Sequence, residues 1–548
     1  MRFINFTESK LLKKLLLSII TVVIFGICAV FTTVVTYANV PEIVRIGLYF
    51  NDSQTGQYTA LSNFSIDAAN GIQLGIIKDN KFNFLIPETF KNTITISKDF
   101  AKNSLESYHV KICGGFNSYN SLIDELNKIK KSGIDAYPVY NDEWQIWEGV
   151  YLSYEEAEKS IEEVLKLKLN GYKCSVVQPS LKRIAALSEN NKVLFIFDSN
   201  ESVFGISPSP ENQPKVFRIN KDNEKRFRGC LEVKRIDGSD MTLINVLPLE
   251  EYLYGVVPYE IQASSHPEAL KAQAVAARTY SVNNLGKYNR LNFDMCGTVY
   301  SQVYKGYNGE TAATNKAVDD TKGEIVTYNG KPAAVFYFSS SGGRTEDVKN
   351  VWGSTGYPYL VSVEDKYESG TSWRYEWEVS YTAKKIAEIM ASRGFDIGNI
   401  LGIDVTKRSQ AGRAIELVVR GSKGERVYKN SNTRSFLNLD SQWFYITTDA
   451  DVLVKTGEDT YEKTQLAGKK VMTSSGLTTI SGDVSVVSRG NKKIKIPATP
   501  TIFTFTGRGW GHAVGMSQEG AKGMANNGYK YDEILGHYFP GTKVEKKY

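Results

Sequence analysis

Apolar and polar residues alternate through the part of the chain that follows residue 40. The stretch from Ile43 to Lys98 contains segments such as VRIGLYF and NTITISKD, separated by turns rich in Asn and Gly. A period of two places one face of a strand against the core and the other toward solvent. The pattern therefore predicts short β-strands across this region.

The pattern changes over residues 108–178, where strand-like and helix-like segments follow one another. YHVKICGGF, DAYPVY, QIWEGVYL and GYKCSVV are predicted strands, whereas SYNSLIDELNKIKKSG and YEEAEKSIEEVLKLK have the period of amphipathic helices. The predicted order is βαββαβ, which is typical of a ferredoxin-like unit. The two halves also repeat, because Ser118-Tyr119 recurs as Ser153-Tyr154.

A helix start is predicted at Ser265-His266-Pro267-Glu268. Ser265 can cap the helix, Glu268 can close a capping box, and Pro267 fits the first turn. The alanine-rich sequence that follows predicts a buried helix packed through small side chains. The residues that share its buried face are Leu270, Ala274, Ala277 and Ser281.

Other segments give simpler predictions. Asp237-Gly238 lies between two apolar runs and predicts a hairpin turn. Lys384–Arg393 is a predicted helix, and Asp449–Pro500 is strand-like and predicts an insertion between parts of the core.

The uncharged apolar run Leu15–Tyr37 follows a basic segment containing Arg2, Lys10, Lys13 and Lys14. The run is long enough to span a bilayer, and the basic flank would keep the N-terminus in the cytoplasm. The alternative is a cleaved signal peptide. Both interpretations place residues 39–548 outside the cytoplasm, either attached to the membrane or secreted.

Composition narrows the function classes. The 548-residue chain has 66 Lys and Arg against 60 Asp and Glu, a formal net charge of +6 that is spread along the sequence. This excess favours an anionic wall or membrane surface, but it is not the clustered basic footprint of a nucleic-acid-binding protein. We therefore expect no nucleic-acid partner.

The cysteine and histidine residues match no metal-binding pattern. No CxxC pair occurs, and the four histidines are scattered. Phosphate-loop, dinucleotide and HExxH signatures are also absent from the sequence. The sequence predicts neither a metal nor a cofactor. The cysteines that follow the apolar run are Cys113, Cys174, Cys230 and Cys296.

The most informative acidic residue is Glu260, which lies between Tyr259 and Ile261 in a connection before the alanine-rich helix. Burial beside apolar and aromatic neighbours raises the pKa of a carboxyl group. A carboxylic acid that stays protonated near neutral pH can donate a proton to a leaving group. The alternative is an exposed loop acid, and spacing alone favours that alternative.

Three longer phrases give the chain a family resemblance. They are LEEYLYGVVPYE with EALKAQAVAARTY at residues 249–280, FSSSGGRTE with VWG and PYL at residues 338–360, and GRGWGHAVGMSQEGA at residues 507–521. Together they resemble the stage II sporulation protein D family, which includes the amidase enhancers. The resemblance covers roughly residues 215–548. It implies that Glu260 occupies the position of the family's catalytic glutamate.

The resemblance also implies an activity. Members of the family that are lytic transglycosylases cut the β-1,4 bond between N-acetylmuramic acid and N-acetylglucosamine in peptide-free glycan strands, and they leave a 1,6-anhydro sugar. By the same resemblance, the loop that contains Trp510 folds back toward Glu260. The substrate-binding residues that we predict are Arg278, Gln302, Tyr304, Ser340, Ser341, Gly342, Gly343, Trp510, His512, Ser517 and Gln518. Arg278 could instead form a structural ion pair, and Ser339–Gly343 could be only a tight turn.

The alternatives are a non-catalytic amidase enhancer, with an N-acetylmuramoyl-L-alanine amidase as partner, and a wall-binding scaffold. Peptidoglycan glycan strands are the expected ligand in each case, and residues 15–37 are the expected membrane contact.

The βαββαβ segment resembles the SPOR domain, a small fold that binds glycan strands stripped of their peptides. Trp144, Trp147 and Tyr151 are the aromatic residues expected to stack on sugars, and a ferredoxin-like unit without a ligand is the alternative. We also expect Cys113 and Cys174 to lie on neighbouring strands, where they could form a disulfide.

The expected fold class is α+β, with a strand-rich core, an inserted ferredoxin-like domain and an N-terminal transmembrane helix. The predicted divisions are a cytoplasmic tail at 1–14, an anchor or signal at 15–38, a strand-rich part at 40–105, the SPOR-like domain at 106–180, and a core at 181–548 with an insertion at about 445–500.

Overall fold

The computed structural model describes residues 40–99, 107–165, 171–220, 224–487 and 493–548. Within these ranges the chain is a mixed α+β protein in which strands predominate. No helix there combines the length and apolar character needed to cross a membrane. The Leu15–Tyr37 run, which we predict to be an anchor or a signal, lies outside the described residues.

One sheet contains seven strands when the described residues are counted, and it places the Glu260 segment. Its strand Asp240–Pro248 pairs antiparallel with Ile43–Tyr49 and with Cys230–Ile236, which confirms the predicted hairpin turn at Asp237-Gly238. Leu249, which begins the next helix, directly follows this strand. In spatial order the strands are Met295–Cys296, Ile43–Tyr49, Asp240–Pro248, Cys230–Ile236, Val203–Pro208, Ile72–Lys78 and Lys81–Phe84.

A second sheet, of ten strands in the described part of the chain, contains the predicted βαββαβ unit. The helices of the unit are Tyr119–Lys131 and Tyr154–Ser160, the latter continuing as a π-helical turn at Ile161–Leu165. Strand Ala136–Tyr140 at the border of the unit pairs in parallel with Val193–Phe197, so the sheet continues past residue 180. In spatial order the strands are Ser175–Val177, Tyr108–Phe116, Trp144–Tyr151, Ala136–Tyr140, Val193–Phe197, Ile184–Leu187, Ile94–Lys98, Asn63–Asp67, Val216–Ile219 and Lys225–Arg228.

The order of the first four of these strands is the fourth, first, third and second of the βαββαβ unit, as in a ferredoxin-like sheet. The prediction that its tryptophans are available for stacking is wrong, because Trp144 and Trp147 are 5% and 1% exposed. Trp144 belongs to the main hydrophobic core and Trp147 to a smaller cluster with Tyr137 and Ile196, so both rings are used in internal packing. Tyr151 is half-buried, and its hydroxyl donates to Glu148 at 2.7 Å.

The two cysteines of this unit lie on neighbouring chain segments, as predicted. Ser175, which follows Cys174, pairs with Lys111 on the strand that carries Cys113. Both cysteines are free thiols in the structure, so the adjacency is confirmed without the disulfide.

The alanine-rich helix is Pro267–Asn283, and most of its side chains are buried. Alanine at its contact positions lets helices Ala312–Asp320, Gln518–Asn526 and Tyr531–Tyr538 pack around it. The cap differs from the prediction: His266, not Ser265, is the N-cap, and its Nδ1 accepts a hydrogen bond from the Glu268 N–H at 3.2 Å.

Residues 376–508 form a second, smaller core. One sheet contains Glu376–Thr382, Ile502–Arg508 and Phe444–Thr448, and another contains Ile400–Arg408, Ala414–Gly421 and Gly424–Lys429. The predicted helix at Lys384–Arg393 is confirmed as Ala383–Ser392, which packs Ile386 and Met390 into this core.

Three successive hairpins lie between strands Phe444–Thr448 and Ile502–Arg508 in the described part of that segment. This confirms the strand-like prediction for residues 449–500. Their strands are Asp451–Lys455 with Tyr461–Gln465, Lys470–Thr473 with Gly476–Thr479, and Val484–Val487 with Lys493–Ile496.

The remaining elements are short. The strands are Asn51–Asp52, Gln57–Tyr58, Glu324–Tyr328, Lys331–Pro332, Tyr337–Phe338, Met516–Ser517 and Lys543–Lys546, and the helices are Leu249–Tyr254, Val257–Glu260, Asn289–Leu291, Gly306–Gly309, Val348–Trp352 and Asn432–Ser435.

A buried ion pair connects the helices on either side of Glu260. Arg278 donates from Nε and Nη2 to both oxygens of Glu250, at 2.9 and 2.6 Å. Its remaining donors reach Thr321 and the carbonyls of Val318 and Glu324. Arg278 is fully buried, so its guanidinium forms a structural ion pair and has no open face for a substrate.

We expect Arg278→Met to destabilise the protein by about 3–5 kcal/mol, because it leaves the Glu250 carboxylate buried without its partner. Chemical denaturation of the two proteins measures the difference. The control is the double variant Arg278→Met/Glu250→Leu, which removes both charges and should recover much of the loss. A single variant as stable as the wild type would contradict the buried pair.

Candidate active site

Glu260 lies at the wall of a cavity of about 410 Å³. The short helix Val257–Glu260 ends at this residue, and Ile261 returns to an extended conformation. The carboxyl group is therefore held at a sharp change of chain direction, between two well-packed helices. The other residues that line the cavity are Tyr280, Val299, Ser301, Gln302, Val303, Phe336, Tyr337, Trp352 and His512.

Burial dominates the acidity of Glu260. It raises the pKa of this carboxyl from its ordinary value of 4.5 to about 7. The Val303 backbone N–H and the Tyr337 hydroxyl donate hydrogen bonds to the carboxylate and oppose the increase. Glu260 is thus close to half-protonated near neutral pH, which is the condition for a group that both gives and takes a proton.

A hydrogen-bond chain fixes the Tyr337 hydroxyl. Gln302 Nε2 donates to it at 2.8 Å, and Gln302 Oε1 accepts from Ser281 at 2.9 Å. The Gln302 side chain is buried, so its orientation is set by the protein and not by solvent. Because Tyr337 can then direct its own proton to Glu260, the chain orients the carboxyl group.

His512 forms another wall of the cavity as a neutral ring. Burial, together with the nearby charge of Arg434, lowers its pKa to about 3. Its Nδ1 accepts from the Val514 N–H at 3.1 Å, and the ring also hydrogen-bonds to the Tyr337 backbone. The Trp352 ring lies 5.1 Å away between centroids. His512 therefore shapes the cavity and does not exchange protons near neutral pH.

The glycine-rich loop that carries His512 requires its glycines. Gly509 and Gly515 have φ values of 75° and 79°. A Cβ atom on Gly509 would lie 2.6 Å from the Ser340 carbonyl oxygen, and one on Gly515 would lie 2.3 Å from the Phe336 carbonyl oxygen. The loop can approach the strand Tyr337–Phe338 this closely only without side chains at these positions.

The predicted sugar-binding turn binds a carboxylate of the protein itself. Glu368 accepts hydrogen bonds from the Ser340 hydroxyl, from the Ser341 hydroxyl at 2.6 Å and from the Gly342 N–H at 2.9 Å. Ser340 and Ser341 are buried. The turn interpretation is thus the one that matches the geometry, with Gly343 half-buried beside it.

Other predicted ligands also have internal partners. The Tyr304 hydroxyl donates to Asn245 at 2.8 Å, Ser517 caps helix Gln518–Asn526, and Gln518 Nε2 donates to Gln273 at 3.3 Å. Trp510 is 37% exposed. Of the predicted residues, the structure brings Glu260, Gln302 and His512 together around the cavity.

Tyr280, Tyr337 and Trp352 also line the cavity, but they are not among the substrate-binding residues predicted from the sequence. Tyr337 directly precedes the FSSSGG phrase, Tyr280 ends the AVAARTY phrase, and Trp352 lies in the VWG phrase. Their positions could have identified them from the sequence, because aromatic residues inside or beside a family phrase are candidates for the wall of a binding site.

Two larger cavities among the described residues contain acidic side chains that are close to basic side chains, unlike Glu260. A cavity of about 640 Å³ contains Asp67, which is paired with Arg218 at 2.9 Å. Another, of about 720 Å³, contains Glu388, which lies 3.8 Å from Lys385. No group of three or more His, Cys, Asp or Glu side chains in the described ranges is arranged to hold a metal ion.

Comparison with known proteins places the Glu260 segment in a family. The family model described as "Stage II sporulation protein" matches residues 237–328. Stage II sporulation protein D of Bacillus subtilis is 29% identical over 315 residues, which cover 55% of this chain and 75% of that protein. Residues 237–328 thus carry the domain of the stage II sporulation protein D family.

Further relatives extend the match. An amidase enhancer of Bacillus subtilis is 32% identical over 310 residues, which cover 53% of this chain. The matched region covers 40% of that enhancer, so the chain spans less than half of its length. An uncharacterized protein of Brachyspira hyodysenteriae is 31% identical, with 56% of this chain and 68% of that protein covered. Residues 357–469 match a domain of unknown function, DUF8618.

We expect Glu260→Gln to stabilise the fold in neutral and alkaline buffer. The folded-state pKa of about 7 lies above the ordinary 4.5, so the wild type loses stability as pH rises through this interval. The neutral amide avoids that loss, which corresponds to roughly 3 kcal/mol above pH 7. Thermal unfolding over a pH series measures it. The two proteins should converge near pH 4, and equal stability at pH 8 would contradict the raised pKa.

Proposed function

We propose that the protein acts on the bacterial cell wall as a lytic transglycosylase that cleaves peptide-free glycan strands, with Glu260 as general acid and base. One observation carries the proposal: among the described residues that line the cavity, Glu260 is the only carboxyl group, and its pKa is about 7. Glycosidases that use water or a covalent intermediate require a second carboxylate across the scissile bond. A single acid suits an intramolecular reaction.

The proposed reaction needs one proton carrier. Protonated Glu260 donates its proton to the glycosidic oxygen as the bond from that oxygen to C1 of N-acetylmuramic acid breaks. The Glu260 carboxylate then takes the proton of the C6 hydroxyl of the same sugar, and O6 forms a bond to C1. The products are a 1,6-anhydro sugar and a free hydroxyl on the neighbouring N-acetylglucosamine, and Glu260 is protonated again. Holding O6 near C1 supplies the nucleophile without water.

The neighbours of Glu260 support this cycle. Tyr337 and the Val303 N–H stabilise the carboxylate after the first proton transfer, while burial favours the acid before it. His512 and Trp352 provide a neutral wall for a sugar ring. The balance between burial and hydrogen bonding places the pKa where both proton transfers are accessible.

A second candidate function is stimulation of an amidase. The observation that favours it is the similarity to a protein named amidase enhancer. In this alternative the cavity binds glycan without cutting it, and the protein recruits an N-acetylmuramoyl-L-alanine amidase to the wall. Product analysis separates the two functions.

We also propose that the protein acts outside the cytoplasmic membrane and that its βαββαβ unit binds wall glycan in the manner of a SPOR domain. The basic flank and apolar run of residues 1–37 support the first proposal. The ferredoxin-like strand order supports the second. Exposed Val150, Leu152 and Tyr154 at the end of one strand offer an apolar surface in place of the buried tryptophans.

Glu260→Gln should reduce glycan cleavage by roughly 10²–10⁴-fold, because the amide keeps the shape of the side chain but cannot cycle a proton. The assay is digestion of purified peptide-free glycan, with mass spectrometry of the products for anhydro ends. Glu260→Asp is the matched control, since it retains an acid with a shorter reach. Wild-type cleavage by the glutamine variant would refute Glu260 as the general acid, whereas no cleavage by the wild type would favour the enhancer function.

Tyr337→Phe should move the pH dependence of cleavage upward. The substitution removes a hydrogen bond that stabilises the Glu260 carboxylate, so the pKa of Glu260 should rise above about 7. The pH–rate profile of kcat/KM measures the change, because its limbs report the ionisations of the free enzyme. An unchanged profile with reduced activity would show that Tyr337 acts only through packing.

A further inference from the structure

Two tryptophan side chains form an exposed pair outside the cavity. Trp373 is 57% exposed and Trp510 is 37% exposed. Their ring centroids lie 3.8 Å apart with an interplanar angle of 68°. Tryptophan is highly buried on average, and paired exposed rings on a folded surface are typical of binding sites.

The loop that carries Trp373 is held in place at its beginning. Glu368, which is bound by the turn at Ser339–Gly343, also accepts a hydrogen bond from the Ser372 hydroxyl at 3.0 Å. The carboxylate thus links the turn to the residue directly before Trp373. The buried serines of the family phrase therefore position this ring through Glu368.

The end of the same loop is fixed to the segment that carries Trp510. The Gly509 N–H donates to the Tyr375 carbonyl at 2.9 Å, and Trp377 Nε1 donates to the Gly509 carbonyl at 3.0 Å. Arg374 lies over the Trp373 ring and pairs with Asp440 at 3.2 Å. Hydrogen bonds therefore hold both ends of the loop, and the two rings have their positions before a ligand binds. This preorganisation lowers the entropy cost of binding.

The pair is continuous with the wall of the cavity. Trp510 precedes His512 by two residues, so their Cα atoms lie at most about 7.6 Å apart. Trp510 also exchanges backbone hydrogen bonds of 2.8 and 3.1 Å with Ser340, which follows Tyr337 by three residues. Trp510 therefore lies on the same pair of backbone segments that carry His512 and Tyr337 to the cavity.

The surroundings of the pair are polar. The residues before Trp373 are Ser369, Gly370, Thr371 and Ser372, and the Ser369 and Thr371 hydroxyls hydrogen-bond each other at 2.8 Å. A protein-binding hot spot commonly has apolar neighbours that exclude water. Exposed aromatic rings among small hydroxyl side chains instead suit a sugar, which has an apolar ring face and a polar edge.

We propose that Trp373 and Trp510 form a stacking platform for sugar units of the glycan strand beyond those held at Glu260. The proposal rests on the proposed glycan-cleaving function and adds to it a preference for longer strands. The platform contacts units outside the cavity, so it contributes affinity only when the oligosaccharide is long enough to reach it. Trp373 lies outside the three family phrases, in the segment that matches DUF8618, so the platform depends on a loop beyond those phrases.

The test measures binding to the Glu260→Gln variant, which holds oligosaccharides without cutting them. The probes are the trimer and the hexamer of N-acetylglucosamine, and isothermal titration calorimetry gives Kd. Adding Trp373→Ala should weaken hexamer binding by roughly tenfold, the effect expected for removing an aromatic anchor. Trimer binding should stay within about twofold by the same reasoning.

Tyr461→Ala is the control, because it removes an aromatic ring of 62% exposure from a distant hairpin and should leave both affinities unchanged. Thermal unfolding of each variant reports its folding. Unchanged hexamer binding in a folded Trp373→Ala variant would overturn the platform while leaving the proposed function intact, and so would an equal loss for trimer and hexamer. Failure of the Glu260→Gln protein to bind either oligomer would overturn the platform, while the digestion of peptide-free glycan tests the proposed function separately.

Discussion

The buried ion pair between Arg278 and Glu250 is the constraint on which the geometry of the candidate active site depends. Glu250 lies in the helix before Glu260 and Arg278 lies in the helix after it, so the pair joins the two helices that flank the Glu260 segment. Glu250 also accepts from the Gly323 N–H and from the Tyr548 hydroxyl at 2.5 Å. Ion pairs of this kind add little net stability over an apolar pair, but they select one arrangement.

Buried carboxyl groups with raised pKa values occur at more than one place in the described part of this protein. Burial also raises the pKa values of Asp365 and Glu368, so a raised pKa alone does not identify a catalytic acid in this protein. Glu368 is enclosed by hydroxyl and N–H donors, whereas Glu260 borders an open cavity. The two acids differ in their access to the cavity: Glu260 lines it, whereas Glu368 accepts hydrogen bonds from Ser341 and from Ser372 in the loop before Trp373.

Much of the fold was predictable because it depends on local periodicity. The βαββαβ order, the hairpin at Asp237-Gly238 and the helix near Lys384–Arg393 are encoded by patterns within a few residues. Glu260 could be selected as a candidate from the sequence because the phrase around it is long and specific, and the structure places it at the cavity wall. The His266 cap was missed because a histidine cap depends on ring orientation, which sequence spacing does not report.

The polar side chains that we predicted to bind sugar were harder to assign from the sequence, for a different reason. Ser340, Ser341 and Tyr304 have the chemistry of sugar ligands, but their partners are Glu368 and Asn245, which are distant in the sequence. A hydroxyl group fits an internal carboxylate as well as it fits a substrate, so residue type cannot separate the two roles. The pairing of distant segments decides between them, and that information is tertiary.

The three hairpins after residue 450 have a consequence for evolution and engineering. The strands that flank them are neighbours in one sheet, with Thr448 paired to Phe503. In the described part of this segment, no side chain joins a buried hydrophobic cluster. The chain thus leaves and re-enters the body at adjacent points, and loop-closure entropy rises only slowly with length. Length variation and grafted reporter domains should therefore be tolerated here while the cavity keeps its shape.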